Sequence, residues 1–108
     1  GKRTAGLEAG GIRLDPIAGE VECNGEALDL SRLEFRLLHL FMRRSGQVLS
    51  QGDILEHLYE LESQRDLNAV EVLISRLRRK VLEEVNLELP IHSIYGQGYA
   101  FRDHALVI

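Results

Sequence analysis

Residues 68–81 read NAVEVLISRLRRKV and carry an apolar stripe beside a polar one. Apolar residues recur at i, i+4, i+7 and i+11, which is the spacing of one face of an α-helix. This buried stripe consists of Val70, Ile74, Leu77 and Val81. The pattern predicts a helix over about 68–84 whose opposite side faces the solvent. The residues directly opposite the apolar stripe are Asn68, Val72, Ser75, Arg76 and Arg79.

Two more helices are predicted upstream of this segment. Ser31 and Glu34 fit a capping box, in which each side chain accepts a hydrogen bond from the backbone amide of the other residue. The helix that starts there runs to about Arg44, and its polar stripe is narrow, which is typical of a core helix covered on several sides. A shorter helix is predicted over about 51–59, followed by a polar, acidic loop over 60–67.

Short β-like runs flank the helices on both sides. Apolar and polar residues alternate in three runs between residues 11 and 30, which predicts a small antiparallel meander. Asn24-Gly25 favours a tight hairpin within it, because both residues tolerate positive φ. Two runs at 91–94 and 99–102 predict a second hairpin at the end of the chain.

One domain is predicted, over residues 11–102. Residues 1–10 are glycine-rich and polar, so they are interpreted as a linker remnant, although residues 4–8 also suit a further strand. Residues 103–108 are interpreted as a C-terminal tail. The length of 108 residues agrees with a single domain.

The order of these elements predicts an α+β fold of the winged helix-turn-helix type. It combines an N-terminal antiparallel sheet, three helices and a C-terminal β-hairpin wing. A short helix followed by a longer one with cations opposite its core stripe is typical of a helix-turn-helix, whose second helix enters the major groove of DNA. The terminal hairpin would then lie beside the DNA backbone or in the minor groove.

The composition narrows the class of protein. Apolar residues make up 44% of the chain, but no run of them approaches the roughly 20 residues that span a bilayer. Cys23 is the only cysteine, so an internal disulfide is excluded, which fits a reducing cytoplasm. The net charge is −4, which is unusual for a DNA-binding protein, yet four cations cluster within residues 76–80. Affinity for phosphates depends on where the cations lie rather than on their total.

Four stretches, in this order, resemble one known family. They are LSRLEFRLL at 30–38, GQVLS at 46–50, NAVEVLISRLRRKV at 68–81 and IYGQGY at 94–99. Together they resemble the OmpR/PhoB-type effector domain of bacterial two-component response regulators. The resemblance implies double-stranded DNA with a direct-repeat operator as the ligand, and a head-to-tail dimer on it. It also implies RNA polymerase as a partner, and a receiver domain and phosphorelay elsewhere on the full-length chain.

The resemblance also implies which residues contact these partners. The DNA-contacting residues would be Gln51, Tyr59, Asn68, Glu71, Val72, Ser75, Arg76, Arg78, Arg79, Ser93, Tyr95 and Gln97. The loop that contacts RNA polymerase would include Glu60, Glu62, Gln64 and Arg65. On residue pattern alone, Lys80 is assigned to the solvent.

The chain departs from the family pattern at three positions. The family commonly has arginine at position 75, histidine at position 73 and arginine at position 95, where this chain has Ser75, Leu73 and Tyr95. Each phosphate contact contributes about 0.9 to the slope of log affinity against log salt. We therefore expect weaker and less salt-sensitive DNA binding than is usual, with a wing that contacts DNA by stacking or by a hydroxyl.

Other functions are less well supported by the residues. The four histidines share no metal-ligand spacing, and no catalytic triad or pair of carboxylates is evident, so we expect no enzyme activity, metal or cofactor. One alternative is the output domain of a one-component, membrane-anchored regulator. Another is a protein-interaction module that has kept the fold and lost DNA binding, as the net charge and the three departures would allow.

Overall fold

A computed structural model of the chain describes residues 6–58 and 67–102, and for residues 67 and 68 it describes the backbone alone. Within these ranges the fold is the α+β winged helix predicted from the sequence. The elements are β1 (Leu7–Ala9), β2 (Ile12–Asp15), β3 (Glu20–Cys23), β4 (Glu26–Ala27), α1 (Arg32–Arg43), β5 (Val48–Leu49), α2 (Gln51–Leu58), α3 (Leu67–Val85), β6 (Ile91–Ile94) and β7 (Gly98–Phe101).

The N-terminal sheet is antiparallel, in the order β1-β2-β3-β4. Its inward side chains alternate along the strands, as in the pairing of Leu14 with Val21, both buried. The predicted Asn24-Gly25 hairpin is confirmed, because both residues have positive φ, at 52° and 84°. The last strand is shorter than the alternation of residues 27–30 suggested and covers only Glu26–Ala27.

The interpretation of residues 1–10 as a linker is wrong at its C-terminal end. Leu7–Ala9 form β1, which pairs with β2 in the register Leu7 with Leu14 and Ala9 with Ile12. Leu7 and Ala9 are half-buried and pack against the core. The further strand suggested over residues 4–8 is therefore present, but it lies at Leu7–Ala9. Residues 1–5 and 103–108 lie outside the described residues.

Helix α1 is the centre of the core. Leu37, Leu38 and Phe41 are completely buried, and the helix contacts α2, α3, β1 and β7. The predicted capping box is confirmed: the Ser31 amide donates to Glu34 Oε1 at 2.8 Å and the Glu34 amide donates to Ser31 Oγ at 3.2 Å. The first turn of α1 is therefore fixed by side chains as well as by packing.

Glu34 has a second partner that the sequence did not reveal. Lys80 of α3 donates to Glu34 Oε1 at 2.8 Å and to the Asp29 carbonyl at 3.1 Å. The assignment of Lys80 to the solvent is thus wrong, because its long side chain reaches back along α3 to α1. Burial raises the pKa of the Glu34 carboxyl, but the hydrogen bonds from Lys80 and Ser31 outweigh burial, so the pKa lies below its ordinary value. The same bond raises the pKa of Lys80.

Lys80→Met should destabilise the domain by about 1.5–3 kcal/mol near pH 7, because Glu34 loses a charged hydrogen-bond donor while it stays buried. A carboxyl whose folded pKa is lowered stabilises the fold above its unfolded pKa and loses that contribution as the pH falls. The difference between Lys80→Met and the native chain should therefore shrink below about pH 4.5, the ordinary pKa of the group. Urea unfolding at several pH values measures it.

Arg79→Met is the matched control for this experiment. It removes a cation from the neighbouring, exposed position of the same helix and should change the free energy of unfolding by less than about 0.5 kcal/mol. A difference between Lys80→Met and the native chain that is the same at pH 7 and pH 4 would contradict the role assigned to Glu34.

The C-terminal sheet has three strands, in the order β5-β7-β6. The predicted hairpin is confirmed, with its second strand one residue earlier than expected. The third strand, β5, was not predicted, because its two residues carry no pattern of their own and pair with residues far along the chain, Val48 with Ala100. Gly98 has a φ of +142°, and a Cβ there would overlap the Leu49 carbonyl oxygen and lie 2.9 Å from Ser50 Cα.

Gly98→Ala should destabilise the domain by about 3–5 kcal/mol, because a strained φ and a backbone clash combine. Gly96→Ala is the control, since Gly96 has a φ of +73° but no atom within 4 Å of a Cβ, so it should cost about 1–2 kcal/mol. Urea midpoints measure both substitutions. Equal losses of stability in the two variants would show that the backbone of Leu49 and Ser50 does not approach Gly98 this closely.

Candidate nucleic-acid interface

The helix-turn-helix consists of α2 and α3. The Asp53 amide donates to Ser50 Oγ at 3.0 Å, so Ser50 caps the start of α2. Helix α3 buries the stripe predicted for it, because Val70, Ile74, Leu77 and Val81 are at most 1% exposed. The two helices pack against each other and against α1, which fixes the direction of α3.

The outer face of α3 displays most of the predicted contact residues. Glu71, Val72, Ser75, Arg76 and Arg79 are all exposed, and the exposed fraction of Val72 is 49%. Leu73 is different, because it is 8% exposed and belongs to the core. Of the three departures from the family pattern, only Ser75 and Tyr95 therefore lie on the surface.

The cations of α3 divide into two pairs. Arg76 and Arg79 are exposed, and neither has a hydrogen bond or ion pair with another residue within the described ranges. Lys80 is committed to Glu34, and the Arg78 guanidinium donates to the carbonyl oxygen of Ile91 in β6. Arg78 and Lys80 thus hold the fold together, while Arg76 and Arg79 remain available for a ligand.

The wing brings three more predicted residues next to the start of α2. Tyr95 at the tip is 99% exposed, and Ser93 and Gln97 are also exposed. Together with Gln51 they line a shallow depression of about 380 Å³. Backbone N–H groups at a helix start favour an anion, so this depression suits a phosphate.

A second depression, of about 860 Å³, lies between α3 and β6. Its lining includes Ser75 and Arg79, and also His92 and Arg102, which are not among the predicted contact residues. Ile91 is buried and His92 is exposed, so the alternation along β6 is the signal that places His92 on the outer side of the wing. His92 and Arg102 add polar groups beside the free cation of Arg79.

Several predicted residues are not placed by the structure. Tyr59 and the predicted polymerase-contact residues Glu60, Glu62, Gln64 and Arg65 lie outside the described residues, and only the backbone of Asn68 is described. Among residues 6–58 and 67–102, no helix has both the length and the apolar character needed to cross a membrane, and no three metal-ligating side chains come together.

Comparison with protein families identifies the domain. The profile described as "Transcriptional regulatory protein, C terminal" matches residues 25–101, which is most of the chain. The chain belongs to this family. The resemblance to OmpR/PhoB-type effector domains is thereby confirmed. The family is one of transcription regulators and is not a class of enzymes.

The relatives of this family domain are longer proteins. The two-component response regulator PhoP of Pseudomonas aeruginosa is 37% identical over 97 residues, which are 90% of this chain and 43% of that protein. The response regulator ArlR of Staphylococcus haemolyticus is 34% identical over 96 residues, which are 89% of this chain and 43% of that protein. The chain spans less than half the length of either relative.

Solved structures share the fold. The DNA-binding domain of Klebsiella pneumoniae RstA, in complex with the RstA box, matches with a TM-score of 0.80 and 28% identity, over 94% of this chain and 100% of that one. The DNA-binding domain of CpxR from E. coli matches with a TM-score of 0.77 and 28% identity, over 94% of this chain and 100% of that one.

Proposed function

We propose that this transcriptional regulatory domain binds double-stranded DNA sequence-specifically, with α3 in the major groove and the wing beside it. The observation that carries the proposal is the pair of exposed guanidinium groups, Arg76 and Arg79, directly opposite the core stripe of α3. Both are without a protein partner in the described part of the chain. Unpaired arginines on such a face are suited to guanine edges and to phosphates.

The remaining exposed residues of α3 set the chemistry of the reading surface. Val72 is apolar and suits the methyl group of thymine, while Glu71 can accept a hydrogen bond from the amino group of cytosine. Arginine donates to guanine in a bidentate manner, so Arg76 is the strongest candidate for specificity. Asn68, which the resemblance adds, would extend the same face toward the start of the helix.

The net charge of −4 is compatible with this proposal because several acidic residues lie on the N-terminal sheet, away from α3. Glu20 and Glu26 are exposed on the N-terminal sheet, whereas Glu83 of α3 lines one depression together with Arg76 and Arg79. At physiological salt, charges separated by more than about 8 Å are largely screened from each other. The cations close to the DNA therefore dominate over the total.

The role of the whole protein is part of the same proposal, and the names of the relatives support it. PhoP and ArlR are named as response regulators and are more than twice as long as the matched region. We propose that a receiver domain on the full-length chain controls this domain by phosphorelay, in the cytoplasm. The domain would bind direct repeats as a head-to-tail dimer and regulate transcription. Residues 60–65 would contact RNA polymerase, and no catalytic activity or cofactor is involved.

Arg76→Ala combined with Arg79→Ala should weaken binding to random duplex DNA and flatten its salt dependence. If each guanidinium neutralises one phosphate, the slope of log affinity against log salt falls by about 1.8. A gel-shift or fluorescence-anisotropy titration measures this slope between about 50 and 200 mM salt, where the loss of affinity is large.

The matched control is Arg32→Ala combined with Arg43→Ala. Both residues are exposed on α1, so this variant reaches the same net charge without touching α3. It should leave the slope within about 0.3 of the native value. If the salt slope fell equally in the two double variants, the net charge of the domain and not the position on α3 would account for the effect. No binding by the native domain, even at low salt, would reject the proposal.

Ser75→Arg should strengthen nonspecific DNA binding and increase the salt slope by about 0.9, because it restores a cation on the outer face of α3. Tyr95→Arg should do the same at the tip of the wing. Ser45→Arg is the control, since it adds the same charge at an exposed position beyond α1. A slope that Ser75→Arg and Ser45→Arg raise equally would argue against a phosphate near position 75.

A protein-interaction module is the second candidate function. It is favoured by two apolar groups on the proposed surface, Val72 at 49% exposure and the ring of Tyr95 at 99%. The same salt titration separates the two functions. A domain that binds DNA loses affinity for duplex DNA as the salt concentration rises, in proportion to the phosphates that it neutralises, whereas a protein-interaction module shows no such dependence.

A further inference from the structure

The cation at position 78 differs from its neighbours in where it points. The resemblance assigns Arg78 to DNA, as it does Arg76 and Arg79. Arg76 and Arg79 are exposed, whereas Arg78 is half-buried and its guanidinium donates to the carbonyl oxygen of Ile91. That bond joins the recognition helix α3 to the first strand of the wing, 13 residues along the chain.

The pattern of the hairpin shows why this carbonyl needs a donor. The Arg102 amide donates to the Pro90 carbonyl at 2.9 Å, so these two residues form a hydrogen-bonded pair of the antiparallel ladder. The next pair, Ile91 with Phe101, is then a non-hydrogen-bonded pair whose backbone groups point away from each other. The Phe101 carbonyl accepts from the Gly46 amide at 2.9 Å, on the β5 side.

The Ile91 carbonyl points to the opposite side, where β6 is the edge of the sheet. Ile91 is only 2% exposed, and a carbonyl at so buried a strand start is costly when it has no donor. Arg78 supplies that donor. The edge of the wing is therefore joined to α3 rather than to another strand.

We infer that Arg78 is a positioning residue, which fixes the wing relative to the recognition helix and does not itself neutralise a phosphate. This inference rests on the proposed DNA-binding function. Tyr95 lies four residues beyond Ile91, which in a strand is about 13 Å. A rotation of only 5° at the base moves the tip by about 1 Å over that length, which exceeds the tolerance of a hydrogen bond.

Arg78→Gln and Arg78→Met separate positioning from phosphate contact. Gln removes the charge and keeps a donor, whereas Met removes both. A positioning role predicts that the salt slope stays at the native value in both variants, because the wing residues expected to contact DNA, Ser93, Tyr95 and Gln97, are uncharged. A phosphate contact predicts a slope lowered by about 0.9 in both. Arg43→Gln on α1 controls for the change in net charge.

A double-mutant cycle with Tyr95→Ala tests the route through the wing. Tyr95→Ala should weaken DNA binding by about fivefold in the native domain and by less than about twofold in Arg78→Met, because a wing that is already misplaced has little left to lose. The inference would be overturned if Tyr95→Ala weakened DNA binding by the same factor in Arg78→Met as in the native domain and Arg78→Gln also lowered the salt slope.

Amide hydrogen exchange of the free domain tests the same bond without DNA. Arg78→Met should speed exchange of the amides of Gln97 and Arg102 in the wing, while the amides of α1 keep their native protection. Unchanged exchange in the wing would overturn the inference even if the domain binds DNA. If the native domain fails to bind duplex, the proposed function fails, and this measurement still decides whether Arg78 holds the hairpin.

Discussion

Burial of α1 is the constraint on which the rest of this domain depends. A helix with so narrow a polar stripe is stable only when other elements cover it on several sides. In this fold the cover comes from the N-terminal sheet, from α2 and α3, and from β7 of the C-terminal sheet. None of these elements is large enough to bury its own apolar face alone. The domain therefore folds as one unit, and damage to the cover on any side exposes the same helix.

Polar bonds add direction to this apolar packing. Apolar contacts hold α3 against the core but specify its rotation only loosely, because they have no preferred direction. Glu34 and Lys80 join the start of α1 to the C-terminal half of α3, and Arg78 joins α3 to the wing. Two cations of the basic cluster thus orient the reading surface that the other two are proposed to form. The cluster serves structure and recognition at adjacent positions.

The sequence was a good guide wherever the deciding signal was local. Helical periodicity, the capping box and the Asn24-Gly25 turn placed the helices and the hairpins within one or two residues of their observed bounds. Short strands escaped prediction because their evidence lies in a distant partner, as for Val48–Leu49.

The candidate site shows the same limit at the level of side chains. Periodicity placed Arg76 and Arg79 correctly on the outer face of α3, where they are exposed. It set Arg78 and Lys80 apart from that face but did not reveal their partners, the Ile91 carbonyl and Glu34, because long side chains reach well beyond the face on which they begin. The burial of Leu73 was missed for a related reason, since an apolar residue beside the main stripe is not marked as core by spacing alone.

The pairing of β5 with β7 has a consequence for how the chain acquires its shape. Val48 pairs with Ala100, so roughly half of the sequence must be enclosed in one loop before this contact forms. Phe101, which is completely buried, ends β7, the last strand of the fold. Contacts so distant in sequence slow folding. A chain still emerging from the ribosome would already have α3 but not the strand that closes the core around α1. The orientation of the recognition helix is thus set only when synthesis has passed the wing.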